Sequence, residues 1–183
     1  MAHIVRTVLF TLTLAAIGLA ARADSLTPAA TQPVAIRSTE TMPTADHIVV
    51  RKAQRKMYLM RGDTVLRSYN IKLGLNPVGH KERSGDFRTP EGRYVLTRRN
   101  PRSDFFLSIQ VSYPNDGDVK HARRNGWDAG GSIMIHGLPN TLKRPPDYYE
   151  RRDWTDGCIA VTNSEMVEIW LLTPDNAPIE ILP

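Results

Sequence analysis

The sequence predicts a mainly β domain with one or two helices, and three observations lead there. Between Asp46 and Leu73, short apolar runs alternate with brief polar turns. Gly and Pro are concentrated in two long stretches, 74–92 and 137–157, which interrupt any extended helix. One clear helix start stands near the C-terminus, where Thr162-Asn163-Ser164-Glu165 forms a capping box ahead of Met166, Ile169, Trp170 and Leu171.

Taken in order, His47–Lys52, Lys56–Met60 and Thr64–Leu73 read as three strands of a meander, joined at Ala53-Gln54-Arg55 and Arg61-Gly62-Asp63. After the loop 74–92, strands are expected at Arg93–Arg98 and Leu107–Tyr113. A polar helix follows between Asn115 and Arg124, with Asn115 or Asp116 as its N-cap. Ser132–His136 is short and apolar, a buried strand that delivers His136 at its end. Pro139, Pro145 and Pro146 make 137–157 irregular. Cys158–Val161 is a short strand, a helix runs from Ser164 to Leu172, and Pro178–Leu182 closes as an edge strand.

At 183 residues, with 41% hydrophobic and 23% charged residues, the chain has the composition of one globular domain. Its N-terminus differs from the rest. His3 and Arg6 precede an apolar run from Val8 to Ala20, followed by Ala21-Arg22-Ala23 and Asp24. That layout is a secretory signal peptide, and the run is short of the roughly 20 residues that span a bilayer. Residues 1–23 are therefore expected to be cleaved, leaving no stable membrane insertion of an exported protein. Residues 24–45, rich in Thr, Ala and Pro, read as a flexible linker, and 46–183 as the folded domain. Loss of Arg6 and Arg22 lowers the net charge from +5 to +3. The basic residues are scattered and carry no nucleic-acid-binding motif, so no nucleic-acid partner is expected.

Cys158 is the one cysteine of a chain sent to an oxidising compartment. A lone cysteine there is either a reactive thiol or an inert buried side chain, and the count alone does not separate them. Thiol catalysis needs a proton acceptor within reach and amides aimed at the developing oxyanion. Gly157 permits a sharp turn before Cys158. Of the histidines, His3 leaves with the signal peptide, while His47 and His121 fall at surface positions. His80, in the Gly/Pro-rich loop, competes with His136, which ends a strand and is followed by Gly137.

The motif Ile135-His136-Gly137 followed by Thr155-Asp156-Gly157-Cys158-Ile159, with eighteen residues between His136 and Thr155, resembles the signature of the YkuD-type L,D-transpeptidases. The upstream block Gly85-Asp86-Phe87-Arg88-Thr89-Pro90-Glu91-Gly92-Arg93-Tyr94 resembles the same family independently. The likeness covers Asp46 to Leu182, and the Asp-Trp-Thr-x-Gly-Cys-Ile-Ala form is similar to an atypical, YafK-like branch. Two positions depart from the family pattern: Asp156 stands where it has His, and Ala160 where typical members carry Arg or Asn.

The resemblance implies that 46–183 is a β-sandwich-like catalytic domain acting on peptidoglycan stem peptides, in the periplasm or cell-wall space of a bacterium. Cys158 would be the nucleophile and His136 its base, oriented through a backbone carbonyl. Gly157, Asp156 and Thr155 would form the oxyanion turn, and Trp154, Gly137, His80 and Tyr113 are candidate substrate-binding residues. No metal or organic cofactor is implied. The thioester would pass to an amine, forming a cross-link; the alternatives are a hydrolase of the same fold, acting as carboxypeptidase or amidase, and an inactive wall-binding module. Asp156 is expected to point outward, away from the thiol, or to serve an amine acceptor. A papain-like protease is disfavoured, because there the cysteine precedes the histidine.

Overall fold

The computed structural model describes residues 43–183. The signal peptide expected over 1–23 and the linker expected over 24–45, apart from its last three residues, lie outside the described residues. In chain order the elements are strands β1 (His47–Arg51), β2 (Lys56–Arg61), β3 (Thr64–Asn70), β4 (Gly92–Ser103) and β5 (Phe106–Val111), helix α1 (Asp116–Arg124), strand β6 (Met134–His136), helix α2 (Pro146–Arg151), strand β7 (Ile159–Ala160), helix α3 (Asn163–Leu172) and strand β8 (Pro178–Leu182). The mainly β expectation is met by one mixed sheet in the order β3-β2-β1-β8-β4-β5-β6-β7.

The meander forms as expected, because alternation in β1 and β2 sends Ile48, Val50, Met57 and Leu59 to one fully buried face. Arg55 closes the first turn with a left-handed backbone, φ 53°. The other half of the sheet depends on β4, whose first residues pair with β8 and whose later residues pair with β5 across two register shifts. Those irregularities bend the strand and let it pass from one half of the sheet to the other.

Three details differ from the expected elements. Pro178–Leu182 is interior: β8 runs parallel to β1 on one side and antiparallel to β4 on the other. Pro178 is tolerated as the strand's first residue, and Ile179 and Ile181 are each 1% exposed. A third helix, α2, sits within the stretch expected to be irregular. Pro146 begins it, at a position where the missing amide costs no helical bond. The third strand ends at Asn70, and the chain from Lys72 to Gly74 departs to pair beside β7.

Both helix starts read from sequence are present. Asn115 caps α1 with Asp118 completing the box, and Thr162 caps α3 with Glu165. Helix α3 lies against β5 and β6 and buries Met166, Ile169 and Leu172. Lys52 is 2% exposed, and its ammonium donates to the carbonyls of Gly79 (2.6 Å) and Thr89 (2.9 Å) and to Glu91 Oε1 (2.8 Å). A buried lysine so completely partnered pins the long 74–92 loop to the sheet.

Because β8 joins the two halves, Ile181→Ala is expected to lower the unfolding free energy by about 2–5 kcal/mol. Val167→Ala, at a 40% exposed site on α3, is expected to stay within about 0.5 kcal/mol in the same urea titration.

Candidate active site

Strand pairing brings the candidate nucleophile and base together. Strands β6 and β7 run parallel with Ile135 opposite Ile159 and His136 opposite Ala160. Side chains alternate along a strand, so His136 and Ala160 share a face. Cys158, two residues before Ala160, lies on that face about 7 Å along the strand. Both His136 and Cys158 line a cleft of about 510 Å³, together with Asn100, Asp104, Phe105, Ser132 and Asp156.

His136 is 3% exposed. Its Nδ1 lies 2.7 Å from the Gly137 carbonyl oxygen. A carbonyl only accepts, so Nδ1 carries the proton and Nε2 is left as the basic nitrogen. The ring is also held by packing, against Phe105 at 4.6 Å between centroids and edge-on to Trp154 at 5.6 Å. Burial holds the imidazolium off, down to about 4, against the opposing pull of the Gly137 carbonyl.

Cys158 is partly open to the cleft. Its Sγ lies 3.6 Å from the Ser132 carbonyl, to which the thiol donates. Ser132 itself has a left-handed backbone, φ 56°, an uncommon conformation for a residue with a side chain. Burial pushes the thiol above its ordinary value, and the charge of Asp156 adds to the rise. A hydrogen bond from the Met134 backbone and the charge of Lys81 pull the other way. Both shifts favour the uncharged forms at neutral pH, a thiol and a neutral imidazole.

The turn before the thiol is built by close backbone contact. Gly157 has φ 130°, and a Cβ there would sit 2.6 Å from the Arg88 carbonyl oxygen. Across from it, a Cβ on Gly74 would meet the Phe87 carbonyl oxygen at 2.1 Å and Gly157 Cα at 3.0 Å. The chain 72–75 runs beside the turn, with reciprocal Lys72–Ala160 amide bonds of 2.8 Å and the Thr155 amide donating to Leu73 (3.1 Å). Thr155 Oγ1 donates to the Cys158 carbonyl (2.8 Å) and accepts from the Gly157 amide (3.2 Å). Asp153 accepts from the Leu73 amide and is bridged by the Arg55 guanidinium at 2.8 Å.

Trp154, Thr155 and Asp156 line the cleft with Cys158 and His136; Asp156 is exposed to solvent but shares the cleft with the thiol, which feels its charge. Gly137 is buried beneath it, where a Cβ would meet Asn163 Oδ1 at 2.5 Å. The two remaining candidates fall elsewhere. His80 Nδ1 accepts from the Glu91 amide (3.0 Å) and its Nε2 lies 3.1 Å from Asp118, so neither nitrogen is free to act as a base. Tyr113 is buried with its hydroxyl donating to the Ala129 carbonyl (2.9 Å). Both stabilise the loop region outside the cleft. Sequence reading missed Asn100, Asp104, Phe105 and Ser132, which reach the cleft from the β4–β5 hairpin and the segment before β6. The adjacent Phe105-Phe106 at a polar turn was the one local signal. Among the described residues, no cluster of three His, Cys, Asp or Glu side chains is placed to hold a metal ion.

The model of the YkuD L,D-transpeptidase catalytic domain matches residues 45–181. The chain belongs to the YkuD family. It is 31% identical to YafK of Escherichia coli strain K12 over 130 residues, covering 68% of this chain and 45% of YafK. The chain thus spans about half the length of the curated relatives it matches. Among solved structures, this YkuD domain resembles Bd1075 of Bdellovibrio bacteriovorus (TM-score 0.52, 26% identity, 78% of this chain and 50% of that one). It also shares its fold with the helical cell shape determining protein Pgp2 of Campylobacter jejuni (TM-score 0.53, 24% identity, 77% and 50%).

With a raised thiol and a depressed imidazole, alkylation of Cys158 by iodoacetamide is expected to climb about tenfold per pH unit from pH 6 to 9. A plateau near neutrality would instead mark a preformed thiolate–imidazolium pair. In this YkuD domain, Gly157→Ala is expected to cost about 2 kcal/mol or more in a denaturant titration. Gly62→Ala, whose Cβ meets nothing within 4 Å, is expected to cost about 1 kcal/mol.

Proposed function

We propose that the chain is an exported cysteine acyltransferase that forms a thioester with a peptidoglycan stem peptide and passes it to an amine. The reading is carried by one arrangement: Cys158 and His136 share a face of two paired strands, and His136 is locked with Nε2 free. In the first half-reaction Sγ attacks the carbonyl of the diaminopimelate residue while Nε2 takes the thiol proton. The tetrahedral oxyanion is received by the Cys158 amide, since the Gly157 amide is committed to Thr155. Collapse breaks the C–N bond, and His136 returns the proton to the departing D-amino acid. In the second half an amine attacks the thioester, His136 takes its proton, and the departing thiolate recovers it.

Asp104 and Asp156 favour an amine over water as acceptor. Their carboxylates line the cleft that holds the thiol, and two negative groups at its rim attract an ammonium and raise its local concentration. The likeness to Pgp2, described as a cell shape determinant, supports a role in cell shape. No helix among the described residues is long and apolar enough to cross a membrane, and location in the periplasm follows from the signal peptide read in residues 1–23.

The test is mass spectrometry of purified Asp24–Pro183 with defined disaccharide-peptides. Cross-linked dimers are expected and are lost in Cys158→Ala and His136→Ala. Asp156→Asn is expected to lower the ratio of dimers to shortened monomers by about three- to tenfold, as weaker steering lets water compete. Shortened monomers alone would identify a hydrolase, and no product dependent on Cys158 would identify a binding module.

A further inference from the structure

A second cavity, of about 350 Å³, lies on the far side of Trp154 and is lined by Lys72, Ala160, Arg55, Glu150 and Glu165. Pairing fixes its relation to the first. Ala160 lies opposite His136 on one side and opposite Lys72 on the other, through an antiparallel bridge. His136, Ala160 and Lys72 therefore stand in one row across three adjacent backbones, all on the face that carries Cys158. Neighbouring backbones are about 4.8 Å apart, so Lys72 and His136 rise from points about 10 Å apart on either side of Ala160, and Trp154 lines both cavities.

Two groups in this cavity lack partners. The Lys72 ammonium forms no hydrogen bond or ion pair with any described residue, although its backbone is held to Ala160 by two hydrogen bonds and the residue is half-buried. The Trp154 indole N–H is buried and has no acceptor. Two of the other charged residues are already engaged. Arg55 is bridged to Asp153, and the Glu165 carboxylate accepts from the Thr162 amide (2.9 Å) and hydroxyl (2.8 Å). Glu150 is exposed at the end of α2. A buried unpaired N–H and an uncommitted cation, on two residues that line one cavity, favour an anionic acceptor.

We propose that Lys72, with the Trp154 N–H, binds a carboxylate of the peptide substrate in the space above Ala160. The site is a specificity subsite beside the cleft, and it deepens the acyl-transfer reading on which it rests. A planar carboxylate offers two oxygens, one to each donor. The gap above Ala160 admits it close enough to His136 for an adjoining carbonyl or amine to reach Cys158. A larger side chain at Ala160 would fill that gap, so the methyl group and the lysine act as a unit.

The test separates binding from chemistry by using Cys158→Ala protein, which forms no thioester. The probe is an L-Ala-γ-D-Glu-diaminopimelate tripeptide, compared with its diaminopimelate carboxamide by calorimetry. Lys72→Met is expected to weaken tripeptide binding about tenfold or more, the range for a hydrogen bond to a charged group. Lys72→Arg is expected to retain most of the affinity, and the carboxamide to bind both the parent and Lys72→Met equally weakly. Equal tripeptide affinity with and without Lys72, or no tripeptide binding at all, overturns the subsite. The thioester reading is decided separately, by whether the products depend on Cys158.

Discussion

The candidate site depends on the close approach of two backbones at Gly74 and Gly157. Side chains at either position would collide with main-chain atoms of the loop, so the glycines bring segments 72–75 and 153–158 into direct hydrogen-bonding contact. From that contact follows the placement of β7, a strand of two residues with little pairing of its own. It is held between β6 on one side and Lys72 on the other, and the thiol inherits its position from both. The buried Lys52 cluster secures the rest of the loop, so the site rests on a polar anchor as well as an apolar core.

The electrostatics belong to the same construction. A site deep enough to hold an imidazole by burial and ring packing is also one that resists charge, and so both members of the pair are neutral before reaction. The Gly137 carbonyl sets which ring nitrogen carries the proton, without an acidic third member. Asp156, where the family pattern has His, adds negative potential at the opening. It makes the thiolate harder to form and makes the opening more attractive to an ammonium, which are opposite effects on the two halves of the proposed acyl transfer.

Much of this was legible in the sequence because it rests on local rules. The meander follows from alternation and tight turns, and both capped helices follow from their boxes. The motif around His136 and Cys158 gave the family. What was hidden depends on contacts between distant segments. Pro178–Leu182 resembles an edge strand by its proline, and only its pairing to β1 and β4 makes it interior. His80 sits in a glycine-rich loop as a reactive group would, yet Glu91 and Asp118 occupy both its nitrogens. Lys72 reads as one more basic residue at a strand's end until the bridge to Ala160 places it beside the thiol's face.

The interior position of β8 also governs the order in which this domain is assembled. Strands β1 to β3 meet through short turns and are complete by residue 70, and β4 and β5 form a hairpin of their own. Yet β1 and β4 share no edge, and the strand that joins them, β8, lies more than 70 residues beyond the end of β4. Contacts between chain segments so far apart are slow to form. Until residues 178–182 pair with both strands, the sheet remains two halves with open edges at β1 and β4.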